Sequence, residues 1–214
     1  MIPKRAQGPA PQTGLSFARE AVRTLRATGA IAPSSQRLAS RLAESVSAEG
    51  PATVLEVGAG TGAVTRALAA RLGPADRLDA VEVNPRFAEA LTAALAADPA
   101  LADVADRVRV IARSITAMPL DRRYDLIVSG LPFMNFAPAE VRGILDRYLE
   151  AVVPGGQLLI YGYVGTQTAR KVLGRGSDGA VSSLLADFED RYGYDRAVVW
   201  RNLPPARIRY LRAP

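Results

Sequence analysis

Val54-Leu55-Glu56-Val57-Gly58-Ala59-Gly60-Thr61-Gly62 reads as a short buried strand running straight into a glycine-rich turn. Glu82 stands twenty residues beyond Gly62, at the end of a second apolar run, Leu78-Asp79-Ala80-Val81. A strand, a glycine turn, a helix and a carboxylate one strand over are the parts of a nucleoside-binding site. The glycines let backbone approach a ligand with no Cβ in the way, and the carboxylate can accept both ribose hydroxyls. The plainer reading is a tight turn that merely needs positive φ. Three glycines at alternate positions in one turn weigh against it.

Gly58-x-Gly60-x-x-Ala63 also satisfies the relaxed dinucleotide fingerprint, so an NAD-binding fold competes. Three features count against it: Glu56 puts a charge where a diphosphate would pass, the turn has the Gly-x-Gly-x-Gly form, and too few residues follow to build a separate substrate domain. These residues resemble motif I of the class I S-adenosylmethionine-dependent methyltransferases. The resemblance implies that Glu56, Gly58, Ala59, Gly60, Thr61 and Gly62 hold the methionyl part of the donor. It implies that Glu82, with Val83 and Asn84, holds the ribose.

A length of 214 residues suits one domain with a single sizeable core. Nearly half the residues are apolar, which excludes a disordered tail. There is no histidine and no cysteine. Disulfides, zinc sites, cysteine nucleophiles and histidine bases are therefore excluded, no metal cofactor is expected, and proton transfer falls to a carboxylate, a tyrosine or water. The net charge of +6 is carried almost wholly by arginine. Beside the plain reading of a solvated basic surface, it points to a phosphate-rich partner, an anionic membrane or a nucleic acid. No run reaches the roughly 18–20 apolar residues that span a bilayer. Met1-Ile2-Pro3-Lys4-Arg5 opens no secretory signal, so a cytoplasmic protein, soluble or peripheral on a membrane, is expected.

Residues 1–15, rich in Pro and Gly, read as a disordered lead-in, 16–50 as N-terminal helices and 51–214 as the main domain. A helix is predicted over 17–28, with Phe17, Ala21 and Leu25 on one side and Arg19, Arg23 and Arg26 on the other, and a second over 34–48. Strands are predicted at 53–57, 77–83, 107–111, 124–129 and 156–163, with helices at 61–72, 85–97, 138–151 and 180–192. The strands are short apolar runs rather than half-polar alternations, which suits a parallel sheet buried on both faces. Two β-rich segments, 195–201 and 206–212, close the chain as an antiparallel pair at one edge. The expected fold is α/β and Rossmann-like: a seven-stranded, mostly parallel sheet with an antiparallel final hairpin, helices on both faces and extra N-terminal helices.

Ligands in such sheets sit beyond the carboxyl ends of the strands. The third strand ends in Arg113-Ser114 where many class I enzymes place an acidic residue for the adenine amino group, so Ser114 and neighbouring backbone are assigned to the adenine, with Ile115 packed on the base. The fourth ends in Ser129-Gly130-Leu131-Pro132-Phe133, which resembles the Asn-Leu-Pro-Tyr motif of the ribosomal RNA adenine-N6 dimethylating enzymes. There the asparagine reads the reacting amino group and the aromatic stacks on the flipped base. Here the asparagine position is Gly130. Ser129 is assigned to the donor pocket, Gly130 and Phe133 to the reacting centre.

Gly29-Ala30-Ile31-Ala32-Pro33-Ser34-Ser35 and Trp200-Arg201-Asn202-Leu203-Pro204-Pro205-Ala206 are not general features of this fold. With Ser-Gly-Leu-Pro-Phe they resemble the bacterial phospholipid N-methyltransferases, across essentially the whole chain after residue 15. That resemblance implies methylation of phosphatidylethanolamine toward phosphatidylcholine, with Ile31, Ser34, Ser35 and Asn202 near the substrate. The 17–28 helix would then meet an anionic membrane at the cytoplasmic face, each arginine contributing on the order of 1 kcal/mol; an ordinary packed helix is the alternative. A neutral lipid amine would attack the donor methyl, with water, Tyr161 or Tyr163 taking the proton. Phe133, Phe136, Tyr161 and Tyr163 would form an aromatic box for the methylated cation, against the plain reading of core aromatics. Arg170, Lys171 or Arg175 would hold the lipid phosphate. Two rivals remain, an RNA adenine dimethyltransferase and a non-catalytic polyanion-binding module that keeps the fold.

Overall fold

The computed structural model describes residues 35–46, 51–164, 178–202 and 204–214. The apolar runs become β1 (Thr53–Val57), β2 (Arg77–Val81), β3 (Val108–Ile111), β4 (Tyr124–Ser129) and β5 (Val152–Tyr163), all parallel. β6 (Gly193–Val199) and β7 (Ala206–Arg212) pair antiparallel, and β7 also pairs antiparallel with β5. The strand order is β3-β2-β1-β4-β5-β7-β6. The expected sheet and its closing hairpin at one edge are therefore both present.

Helices cover both faces. On one, α1 (Gln36–Ala43) packs on α2 (Ala63–Ala69), beside α3 (Pro85–Ala97). Leu38, Leu42, Leu68 and Leu91 meet Val54, Leu78, Leu126 and Leu159 there. On the other, α4 (Pro138–Ala151) and α5 (Asp178–Tyr192) bury Ile144, Leu145, Val181 and Leu185 against Leu55, Val57 and Ile127. Neighbours along β1 thus point to opposite cores, the period of two that a strand imposes.

The departures from expectation are local. The α2 helix starts only at Ala63 because Gly62, at φ +81°, is its N-cap. Residues Pro99–Arg107, where no element was expected, form 3₁₀ turns. β5 begins at Val152 rather than 156: Val152 pairs with Tyr124, and the register then shifts around Gly155, at φ +74°. The 17–28 helix lies outside the described residues.

Asp79, in the middle of β2, is buried yet charged, so its partners matter. The Arg109 guanidinium grips it with Nε and Nη2 at 2.9 and 2.7 Å, and the Tyr124 hydroxyl donates to it at 2.7 Å. Arg109 also reaches Asp121 at 3.0 Å. These bonds hold Arg109 more firmly protonated than a free guanidinium, the Asp79 bond contributing most. The network ties β2, β3 and β4 together.

Candidate functional site

Strand register brings the site to one level. Val57 pairs with Val81 and with Ser129, Val81 with Ile111, and Ser129 with Ile160. The next residues, Gly58, Glu82, Gly130 and Tyr161, therefore share the carboxyl edge of adjacent strands. Hydrogen bonds from the amides of Gly58 to the Val81 carbonyl and of Gly130 to the Val57 carbonyl, both 2.9 Å, fix that edge.

The turn needs its glycines. Gly58, Gly60 and Gly62 all have positive φ, at 83°, 57° and 81°. At Gly62 the constraint is double, because a Cβ would also stand 2.3 Å from Leu91 Cδ1. Ala59 is buried and Thr61 exposed at the tip. Glu82, 5% exposed, accepts the Gly60 amide on one carboxylate oxygen and the Asn84 amide on the other, each at 2.8 Å. Each oxygen keeps a lone pair for a further donor, which is what a ribose diol requires. Half-buried Val83 follows it. The Asn84 side chain caps α3, accepting from the Arg86 amide at 3.1 Å.

Glu56 is the unusual group. It is 2% exposed, and neither carboxylate oxygen has a hydrogen-bond partner among the described residues. Burial pushes its pKa up to about 7; the Thr65 hydroxyl eases that rise without reaching hydrogen-bond geometry, and the Glu82 charge adds to it. Thr65 was missed in the sequence, although it is the one polar residue in the buried stripe Val64, Thr65, Leu68 and Ala69 of α2. An orphaned buried acid suits an incoming ammonium. The glycine cradle, the paired Glu82 and the orphaned Glu56 together fit a nucleoside that carries an amino acid.

Other expected residues are placed differently. The Ser129 side chain is wholly buried and bonds the Tyr148 hydroxyl of α4 at 2.8 Å, so its hydroxyl is committed to the core rather than to a donor. Ile115 is a core residue on the α4 face. Half-buried Ser114 pairs its hydroxyl with Thr116 at 2.9 Å. The four aromatics do not make one box: Phe133 and Phe136 belong to the core on the α4 face, Tyr161 and Tyr163 to the core on the α1 face. Asn202, 1% exposed, is a structural bridge. It accepts the Ser35 amide at 3.0 Å and donates to the Pro204 carbonyl at 2.6 Å. Ser35 in turn caps α1, accepting from the Leu38 amide at 3.3 Å. Phe17, Arg19, Arg23, Arg26, Ile31, Ser34, Arg170, Lys171 and Arg175 lie outside the described residues.

Gly130 and Tyr161 form a pair that sequence did not reveal. A Cβ on Gly130 would stand 2.3 Å from the Tyr161 hydroxyl oxygen and 2.7 Å from Cζ. The phenol of β5 thus fills the volume that a side chain at 130 would take. A glycine and an aromatic ending two adjacent parallel strands were visible in the sequence, but only the register sets them side by side.

Residues 54–156 match the family model described as a methyltransferase domain. The ornithine lipid N-methyltransferase of Singulisphaera acidiphila is 32% identical over 131 residues, 61% of this chain and 67% of that protein. Among the solved structures that share the fold are two methyltransferases. The N-methyltransferase NodS of Bradyrhizobium japonicum, in complex with S-adenosylhomocysteine, superposes with a TM-score of 0.60 at 19% identity over 84% of this chain and 85% of its own. The O-methyltransferase TomG of Streptomyces achromogenes, in complex with the donor, gives 0.64 at 19% identity over 96% and 92%. The chain belongs to the class I S-adenosylmethionine-dependent methyltransferases. Its methyl donor is S-adenosylmethionine.

Proposed function

We propose that the chain is an N-methyltransferase of an amine-bearing membrane lipid, converting phosphatidylethanolamine stepwise to its mono- and dimethyl derivatives and to phosphatidylcholine. It works from the cytoplasmic face of the membrane as a peripheral protein. Among the described residues, no helix is long and apolar enough to cross a membrane. The observation that carries the reading is the Gly130–Tyr161 pair. In the adenine-N6 pattern a side chain at this position reads the base, and here that volume is filled by a phenol. A site without a base-reading arm suits a small aliphatic amine better than a nucleobase, and the likeness to a lipid N-methyltransferase supports the same choice.

The bound donor supplies an electrophilic methyl group. The protein's part is positioning and desolvation. Glu82 and the glycine turn fix the nucleoside and amino-acid ends. The backbone at Gly130 and the Tyr161 hydroxyl flank the amine, which must lose its proton to expose a lone pair. Tyr161, 9% exposed, offers an oxygen to accept an amine N–H and pass the proton outward to water. Tyr163, half-buried at the end of the same strand, offers an aromatic wall for the methylated cation.

An ornithine lipid is a second reading, favoured by the 32% identity to an enzyme that methylates one. Full-length protein given labelled donor with liposomes of phosphatidylethanolamine, liposomes of ornithine lipid, or ribosomal RNA separates these acceptors. Label in phosphatidylethanolamine supports the proposal, label only in ornithine lipid moves it to the second reading, and label only in RNA refutes both.

A further inference from the structure

Trp200 is the chain's single tryptophan and is 73% exposed. A single exposed apolar ring is common on protein surfaces, so its place in the fold and its charged neighbours decide what it does. The only other large exposed apolar side chain among the described residues is Tyr194, at the far end of β6.

The position of Trp200 is informative. Val199 pairs with Ala206, and Ala206 with Tyr163, so the β6–β7 connection lies at the carboxyl edge of the sheet, on the side of the donor site. The ring is presented from an anchored segment. The Asn202 amide donates to the Val199 carbonyl at 3.3 Å, its side chain bridges the Ser35 amide and the Pro204 carbonyl, and the Val164 amide donates to the Pro205 carbonyl at 2.7 Å. Buried Asn202 thus holds the connection against the start of α1.

Three arginines stand on the segments next to the ring. Arg201, next in the chain, and Arg207, across the hairpin, are exposed, as is Arg37 in the first turn of α1. Among the described residues, none of the three has a carboxylate within ion-pair distance, unlike Arg41, which pairs with Glu44. Arg37 and Val199 also line an open groove of about 540 Å³ between α1 and β6. An exposed indole on the same edge as exposed arginines without carboxylate partners matches the interface of an anionic bilayer, where the ring sits at headgroup level and the cations meet lipid phosphates.

We infer that the β6–β7 connection docks on an anionic lipid surface, with Trp200 inserted at headgroup level and Arg201, Arg207 and Arg37 on the phosphates, so that the carboxyl edge of the sheet faces the membrane. This rests on the lipid reading of the acceptor and adds to it the surface through which the lipid is reached. It is separate from the N-terminal helix as a membrane contact.

The lone tryptophan is its own reporter. Full-length protein is titrated with vesicles of phosphatidylethanolamine and phosphatidylglycerol, with neutral phosphatidylcholine vesicles, and with RNA. Docking predicts a blue-shifted emission and quenching by brominated acyl chains on the anionic vesicles alone. Arg201→Ala should weaken vesicle binding about fivefold with the emission shift retained at saturation. Trp200→Ala should keep its rate on a short-chain, water-soluble phosphatidylethanolamine and lose rate on vesicles. Cosedimentation with vesicles and unchanged emission would overturn the inference, as would an emission change with RNA alone, or equal loss of both rates in Trp200→Ala. A docked Trp200 in a protein that methylates no lipid would instead refute the acceptor reading and leave the surface standing.

Discussion

Replacing Glu56 with Gln should stabilise the donor-free protein and weaken its hold on the donor, and the stability gain should depend on pH. Both carboxylate oxygens are sealed from water with no hydrogen-bond donor among the described residues, and this burial, with the Glu82 charge adding to it, lifts the pKa from 4.5 to about 7. Between those values the folded chain keeps a proton that the unfolded chain has released. The stability contributed by this group is fully present below pH 4.5, declines as pH rises, and is lost above pH 7. The separation is worth about 3 kcal/mol, a cost that the uncharged glutamine avoids. Parent and variant should melt together near pH 4.5, and at pH 8 the variant should melt roughly 6–12 °C higher. Calorimetric melts at the two pH values, without donor, read this directly. Titration with S-adenosylmethionine in two buffers of different ionisation enthalpy reads the other half. Below pH 7 the parent should release a proton as Glu56 ionises against the donor's ammonium, and the variant should bind weakly and release none. A melting difference that is the same at both pH values would refute the reasoning, as would a variant that binds donor as the parent does.

Glu82→Ala removes the acceptor for the Gly60 and Asn84 amides; with the carboxylate proposed to hold the ribose gone, donor affinity by calorimetry should fall about 10- to 100-fold. Asp79→Ala leaves the buried Tyr124 hydroxyl without its acceptor, while half-exposed Arg109 keeps Asp121, and urea denaturation should report a loss of about 1–3 kcal/mol. Gly130→Ala sets a Cβ against the Tyr161 phenol, so methyl transfer should fall while donor binding holds; full activity would mean that the phenol moves aside freely. Tyr161→Phe keeps the ring and removes the hydroxyl, and kcat should drop on the order of 10²-fold with little change in KM.

The sheet was legible because parallel strands buried on both faces show as short, mostly apolar runs, as Val54-Leu55 with Val57 and Leu126-Ile127-Val128 do. The glycine turn and Glu82 were legible for a different reason: their geometry needs residue types that few other positions tolerate. Pairings across strands were hidden. Ser129 read as a pocket residue until register and α4 placed its hydroxyl against Tyr148. Asn202 read as a substrate contact, yet its partners lie 167 residues away at Ser35 and two away at Pro204. The aromatics failed as a box because strand period and loop path sent them to opposite faces, which composition cannot show. Glu56 was visible as a charge; its isolation required the packed core around it.

The central claim is that the acceptor is the amine of phosphatidylethanolamine, and the mass spectrum of extracted lipid tests it most directly. Full-length protein with S-adenosylmethionine and anionic liposomes containing phosphatidylethanolamine should yield lipid heavier by one, two and then three methyl additions, all on the headgroup nitrogen. Phosphatidylethanolamine recovered unchanged, from protein that binds the donor by calorimetry and docks on the same liposomes, would contradict it.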